Sequence, residues 1–516
     1  MSAETADLAI VGAGTSGAHT LLALLAELAA PQRQRGRPVR IVVFDRDRRF
    51  FTGIAYGDRS GRASLTLSTL RRFLPDDERA RFVAWLVAGR HDVVPAIADP
   101  AWLYRHRAAI ATNGWDDLFV PRRLYGRYLQ EQVDRAIRDA RAAGVAECEL
   151  VTGDVTSIER TGDRHVVGAR DAGGRRVELD AGAVVLTVGS PPARRLPCDD
   201  ETTDGIVHDA YDPGLDATLA AVRRRLLDLP VDTRHVLVVG ANATALEFVT
   251  ASHRIVDELR ARVTVLSPSG RPRHWRRRSP DEVATLSATS QLRSAAERGA
   301  RVTAAQLYQA VHADLRTAVA AGSDLATVPG LADAVPGFLG YLDDADRAAI
   351  AERYGLAISR LLRQDCGDAV DVVESDVRSG TLTFETGRYV GSRREESHFR
   401  VTATDERGRH AMLDGRFGAI VGAVGFEGVA DTRDPLLRQL LRDGLAEASS
   451  SNAGLRVDDR FRAAPHLYVV GPLLAGNANR SMLIWHAESV RRIMGVAPAA
   501  ARFMVREFEA EILGAP

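Results

Sequence analysis

Three glycines near the N-terminus stand where a phosphate could be held. The stretch "DLAIVGAGTSGAHTLLALLAEL" (Asp7 to Leu28) runs from a short apolar segment through Gly12, Gly14 and Gly17 into an apolar helical pattern. Each glycine of a GxGxxG answers a different demand. Gly12 makes the tight turn, Gly14 lets a pyrophosphate approach the backbone, and Gly17 lets the helix pack on the strand with its N-terminus aimed at the phosphates. A second apolar run, "VRIVVFD" (Val39 to Asp45), ends in an acid about 28 residues after Gly17. A carboxylate there can accept hydrogen bonds from a ribose diol. Gly12, Gly14, Thr15, Ser16, Gly17, Asp45 and Arg46 are therefore the expected contacts of a first dinucleotide.

A weaker copy lies in "VLVVGANATALEF" (Val236 to Phe248). Gly240 makes the turn, but Asn242 stands in the second glycine position and Ala245 in the third. Alanine at the third position only loosens helix–strand packing. Asparagine tolerates left-handed backbone angles better than other non-glycine residues, and its amide can donate to a phosphate. The next strand, "RVTVLSPSGRPRHW", ends in Ser267 where an acid would favour NADH. Ser267 with Arg271 and Arg273 suits the 2′-phosphate of NADPH. The bland alternative is a solvated arginine-rich loop, and NADH or no nicotinamide at all stay open. The expected contacts are Gly240, Asn242, Ala243, Thr244, Ser267, Arg271 and Arg273.

Elements must exist to position these groups, and 516 residues are enough for two or three domains. Apolar content of 45%, charged content of 26% and a formal net charge of zero describe a globular chain with no pull toward nucleic acid or membrane. No apolar run is long enough to span a bilayer, and the acidic N-terminus runs straight into a strand, so a cytoplasmic protein is expected. The three cysteines form no CxxC, which argues against dithiol chemistry and for a reducing compartment. The chain holds no lysine; all 68 basic residues are arginine. That excludes a lysine Schiff base and a P-loop lysine. No HExxH helix or iron–sulfur spacing is present, so no metal is expected.

Further stretches follow in a fixed order: "RRFFTGIAYG" (Arg48 to Gly57), "LTLSTLRRFLPDDERARFVAWL" (Leu65 to Leu86), "FVPRRLYGRYLQEQVDRAI" (Phe119 to Ile137), "VTGDVTSIER" (Val151 to Arg160), "AGAVVLTVGSPP" (Ala181 to Pro192) and "APHLYVVGPLLAGNANR" (Ala464 to Arg480). Together they resemble the FAD/NAD(P)-binding flavoproteins related to amino-acid N-hydroxylases. The resemblance implies FAD in the first site and NADPH in the second. It implies that Gly53, Tyr56 and Arg122 touch FAD or hold its loop, that the backbone around Val155 reads the adenine, and that Gly189 lies at a domain crossing. Gly471, Pro472 and Gly476 should run past the flavin ring, and a helix from about Ser481 should aim its N-terminus there. Asn477, Asn479 and His486 are the candidate catalytic groups, with an N-cap or a packed ring as the plain alternatives.

The expected fold class is α/β: two Rossmann-like dinucleotide-binding domains, the FAD domain interrupted by the NADPH domain, with a helical insertion. Residues 1–195 form the first part of the FAD domain, 196–430 the NAD(P)H domain with its insertion at about 279–364, and 431–516 the second FAD part. The resemblance implies an NADPH-using monooxygenase that N-hydroxylates an amino acid or related amine through a C4a-hydroperoxyflavin. Its partners would be a small-molecule substrate and dioxygen, and a homo-oligomer is allowed. An NAD(P)H oxidase or reductase is the alternative enzyme, and a nucleotide-binding sensor or structural protein the alternative of another class.

Overall fold

The runs Leu8–Val11 and Val236–Val239 are apolar on both faces, and both fold as buried strands flanked by parallel neighbours. A computed structural model of the chain describes residues 4–30, 37–198, 204–272, 287–320, 336–361, 367–405, 407–478, 483–486 and 489–511. β1 (Glu4–Val11) pairs in parallel with β2 (Val39–Asp45) on one side and β5 (Arg176–Leu186) on the other. β3 (Ala146–Thr161) follows β2 in parallel as far as Thr152, then turns with β4 (Arg164–Asp171) and β5 into an antiparallel meander. Near the C-terminus, β15 (Leu467–Val469) joins β5 in parallel and carries β14 (Arg462–Ala464) at the edge. Helix α1 (Thr15–Leu28) links β1 to β2, α2 (Arg122–Ala142) precedes β3, and both pack into one core with the C-terminal helix α10 (Val490–Glu511).

The second sheet is all parallel, in the order β6 (Ile206–Val207), β13 (Ala419–Gly422), β7 (His235–Val239), β8 (Arg262–Ser267) and β9 (Leu382–Thr386). Helices α3 (Leu215–Leu227), α4 (Ala243–Glu258) and α8 (Gly367–Ser379) build its core on one face. An antiparallel sheet of β10 (Arg388–Glu395), β11 (His398–Thr404) and β12 (His410–Met412) covers the other through Phe399 and Val401. The chain passes twice between the sheets, and the two passages pair with each other: Arg194 N–H donates to Gly425 O at 2.9 Å and Glu427 N–H to Pro192 O at 2.9 Å.

The segment expected to be a helical insertion is helical where it is described, as α5 (Ser287–Glu297), α6 (Ala304–Ala320), a π-helical turn at Ile350–Tyr354 and α7 (Gly355–Leu361). Its core takes in Leu483 and Trp485 from the far C-terminal segment. That segment differs from expectation. Ser481 itself lies outside the described residues. β16 (Asn477–Ala478) and β17 (Leu483–Ile484) form a small antiparallel ribbon, and α10 starts only at Val490. The ribbon is anchored at both ends: the Asn477 amide is bonded to neighbouring backbone and Trp485 packs into the insertion core. Among the described residues no helix is long and apolar enough to cross a membrane.

Candidate dinucleotide sites and the contact between them

At the first site each glycine is explained by a separate contact. Gly12 has φ +99°, and a Cβ there would lie 2.7 Å from Thr187 O. A Cβ on Gly17 would lie 2.2 Å from Gly12 O. Gly14 is different: its backbone is extended (φ −77°, ψ −163°), and the nearest atom to an added Cβ is Gly53 Cα at 3.5 Å. Neither strain nor crowding requires glycine there. It leaves room in front of the α1 N-terminus, where orphan N–H groups and the helix dipole favour a phosphate. Gly53 borders the same space with φ +59°. Ala13 N–H donates to Asp45 Oδ2 at 2.6 Å and Asp47 N–H to Asp45 Oδ1 at 2.8 Å. These bonds aim the carboxylate at the loop, while burial raises its pKa. Arg46 beside it is exposed. A dinucleotide such as FAD fits this cradle.

The other expected contacts gather around it. Thr15 and Ser16 are buried at the start of α1. A Cβ on Gly471, at φ +99°, would lie 2.3 Å from Ser16 Oγ, so the C-terminal loop returns to the first helix; Pro472 then opens a short 3-10 turn. Gly189, at φ +88°, faces open space at the first passage between sheets. Val155 is buried on β3, beyond the point where pairing with β2 ends. Tyr56 packs against Phe73 and Tyr125 and is pushed up to about 12 by burial. A Cβ on Gly126 would lie 2.1 Å from Tyr56 O, which explains the glycine of "LYGRYL". His19 shares a 3.0 Å hydrogen bond with the Tyr125 hydroxyl; burial pushes its pKa down to about 4, so the ring is neutral and joins α1 to α2.

The second site repeats the first. Gly240 has φ +102°, and a Cβ there would lie 2.1 Å from Ala423 O, as Gly12 meets Thr187 O. Gly240 N–H donates to Leu266 O at 2.8 Å, as Gly12 N–H does to Phe44 O at 2.9 Å. Asn242 takes the extended backbone of Gly14 (φ −104°, ψ −169°), so no left-handed residue is needed. Its side chain caps α4, with Ala245 N–H donating to Oδ1 at 3.2 Å. The room left open at Gly14 is thus partly filled here, and one helix N–H is already satisfied. Ala243 and Thr244 open α4, with Thr244 beside Tyr211.

Beyond β8 the two described site residues both have partners within the protein. The Ser267 hydroxyl is buried and donates to Gly270 O at 2.7 Å, which closes a turn and commits it locally. Arg271 reaches Glu374 on α8 and lies over the Phe384 ring, rather than extending into solvent. Arg273 lies outside the described residues.

Asn477 also changes role. Its Nδ2 donates to Leu455 O at 2.7 Å and Leu474 O at 2.9 Å, and its Oδ1 accepts from Val457 N–H at 3.0 Å. Both ends of the buried amide are engaged with backbone, and Asn477 fixes the loop. Gly476 precedes it at φ +87°, with room for a Cβ closed by Ser451 Oγ at 2.2 Å. His486 is half-buried, beside Trp485, and its carbonyl accepts from Arg492. Asn479 lies outside the described residues.

Arg122 also joins the two sites, through a partner that no local pattern marks. Arg122, at the start of α2, forms a buried ion pair with Glu247 on α4; the side chains are 10% and 9% exposed. Arg122 Nε also donates to Leu65 O at 2.8 Å, and the Tyr211 hydroxyl and Ser64 Oγ donate to Glu247 Oε2. Burial alone would lower the Arg122 pKa, but Glu247 with Tyr211 and Tyr56 raises it above its ordinary value. Burial, then Glu247, pushes the Tyr211 phenol well up. The connector carrying Tyr211 is clamped as well, by Arg59 Nε donating to Tyr211 O at 2.8 Å and Arg123 pairing with Asp216 at 3.4 Å. An acid on the polar side of an amphipathic helix reads as solvated, and only the fold reveals that this one faces an arginine more than a hundred residues away.

Residues 9–191 match a family model described as FAD-NAD(P)-binding. An uncharacterized protein of Mycobacterium tuberculosis is 30% identical over 98% of this chain and 96% of its own length. Two solved structures share the fold: the ornithine N-hydroxylase of Kutzneria sp. 744 (17% identity, TM-score 0.51, 98% of this chain and 100% of that one) and the cadaverine monooxygenase of Erwinia amylovora, solved with FAD (13% identity, TM-score 0.55, 98% and 95%). Two glycine cradles thus stand on two sheets, and the Arg122–Glu247 pair joins the units that carry them. The chain belongs to the same family as the mycobacterial protein; its residues 9–191 match the FAD-NAD(P)-binding model, and its fold is that of N-hydroxylating flavin monooxygenases.

Proposed function

We propose that the chain uses NADPH to reduce bound FAD and, with dioxygen, hydroxylates the nitrogen of an amino acid or related amine. The observation that carries this reading is the repetition of the Gly12 contact at Gly240, in two sheets held together through Arg122 and Glu247. The flavin, when bound, supplies the oxygen chemistry; the protein supplies binding, orientation and exclusion of water. Gly12, Gly14, Gly17 and Gly53 leave the space for the FAD pyrophosphate, and Asp45 accepts from the ribose. Gly240 and the α4 N-terminus receive the nicotinamide dinucleotide, with the outward Nδ2 of Asn242 as a donor. Residues 1–195 and 431–516 serve the flavin and 196–430 the nicotinamide.

The helical insertion is suited to roof the substrate site. Trp485 seats against Gly355, whose Cβ would lie 2.5 Å from the indole, and its Nε1 donates to Ser359 at 2.7 Å. This ties the insertion to the loop that follows Gly471. The absence of a CxxC in the chain leaves no dithiol pair to take the flavin's electrons, which favours dioxygen. The test is a panel of amino acids and diamines given to FAD-loaded protein with NADPH. A product heavier by one oxygen, formed in proportion to NADPH used, supports the reading. NADPH consumption wholly matched by peroxide across the panel would make the protein an oxidase instead.

A further inference from the structure

The end of β8 carries a feature that the cofactor assignment does not use. In a dinucleotide fold, the second strand of the nicotinamide unit ends beside the adenosine ribose, and the residues there distinguish NADPH from NADH. Here the turn at Ser267–Gly270 is fixed by the Ser267 hydroxyl and by Gly270 at φ +60°, whose Cβ would lie 2.7 Å from Thr386 Oγ1. The chain is thereby reversed, and Arg271 is laid back over Phe384, 5.6 Å from the ring centroid, toward the carboxylate of Glu374. The Arg271 side chain is 15% exposed and that of Glu374 27%.

A planar guanidinium resting on an aromatic ring is built to take a phosphate through two parallel N–H bonds. Here a carboxylate already holds it. We propose that Glu374 acts as an internal stand-in for the 2′-phosphate and so sets the cofactor preference. NADPH must displace Glu374 from Arg271 and exchange one anion for another. NADH leaves the pair intact, and Glu374 accepts from its ribose diol. Glu374 thus supplies, from α8, the acid that β8 lacks at Ser267. This rests on the second site taking a nicotinamide dinucleotide.

Binding of 2′,5′-ADP and of 5′-ADP to FAD-loaded protein, measured by calorimetry, tests this without turnover. Glu374→Gln should tighten 2′,5′-ADP about two- to fivefold, the scale of one partly exposed ion pair. It should leave 5′-ADP unchanged or weaker. Glu374→Asp, which draws the carboxylate back, should move the same way by less and guards against a misfolded first variant. Arg271→Leu should weaken 2′,5′-ADP and erase the effect of Glu374→Gln in the double variant. An unchanged ratio of the two affinities in both Glu374 variants overturns the inference. If that happens while NADPH still bleaches the flavin, the nicotinamide site stands and only the role of Glu374 falls. If neither ligand binds and NADPH does not bleach the flavin, both fall together.

Discussion

Replacing Arg122 by leucine should separate the two dinucleotide units. Arg122 and Glu247 are 10% and 9% exposed, so the variant strands a carboxylate in a site that water scarcely reaches. Breaking one side of a buried pair typically costs about 3–5 kcal/mol, mostly the desolvation of the charge left behind. That corresponds to a shift on the order of 10² to 10⁴ in the balance between docked and undocked units. Glu247→Leu should cost a similar amount, because it strands the guanidinium. The double variant loses both charges and leaves the Tyr211 hydroxyl and Leu65 carbonyl wanting partners, a cost of about 1–3 kcal/mol. The singles and the double therefore should not add; the double is expected to be more stable than either single. Hydrogen exchange at residues 59–66 and 243–247, with small-angle scattering for the overall dimensions, reads docking directly, and urea unfolding gives the free energies. Costs that simply add, or single losses under about 1 kcal/mol, would show a solvated surface contact and refute the reasoning.

Three other outcomes follow from the same geometry. Gly17→Ala puts a methyl group 2.2 Å from Gly12 O, so the purified protein should carry little FAD while its second unit still binds nicotinamide dinucleotide; absorbance of the isolated protein checks this. Asn477→Ala leaves three backbone groups unsatisfied, so FAD content should fall while turnover per bound FAD stays near wild type; a loss of turnover at full occupancy would restore Asn477 as a reacting group. His19, His165 and His235 are buried, and each is pushed by burial to about 4 in the fold against 6.5 when free. The unfolded chain therefore binds more protons between these values, and stability present above pH 6.5 is lost as pH falls toward 4. Each histidine contributes about 2 kcal/mol of that loss by pH 5. Melting temperatures from pH 7 to 4.5 should fall steeply, and His165→Gln should flatten the decline.

Much of this was readable along the chain because backbone demands leave local marks. Gly12, Gly17 and Gly240 each sit where a Cβ would strike a carbonyl, and such positions show as glycines after an apolar run. The two strands before them show as apolar runs buried on both faces. What was not legible depends on side chains meeting from distant segments. Arg122 looked like a flavin contact because its neighbours resemble one; its partner Glu247 lies in another sheet's helix. Asn477 was a candidate because its type can react, and the structure bonds its amide to Leu455 and Val457, backbone that sequence does not place beside it. Arg271 looked available until α8 brought Glu374 to it. Asn242 was expected to tolerate a left-handed backbone or to donate from its amide; its backbone is extended and its Oδ1 caps α4.

The central claim is that a nicotinamide bound at Gly240 reduces a flavin bound at Gly12. Mixing FAD-loaded protein with NADPH in the absence of oxygen, and following the visible absorbance of the flavin, tests it most directly. The yellow colour should bleach, and return when air is admitted. Protein that binds FAD and NADPH yet stays yellow would contradict it.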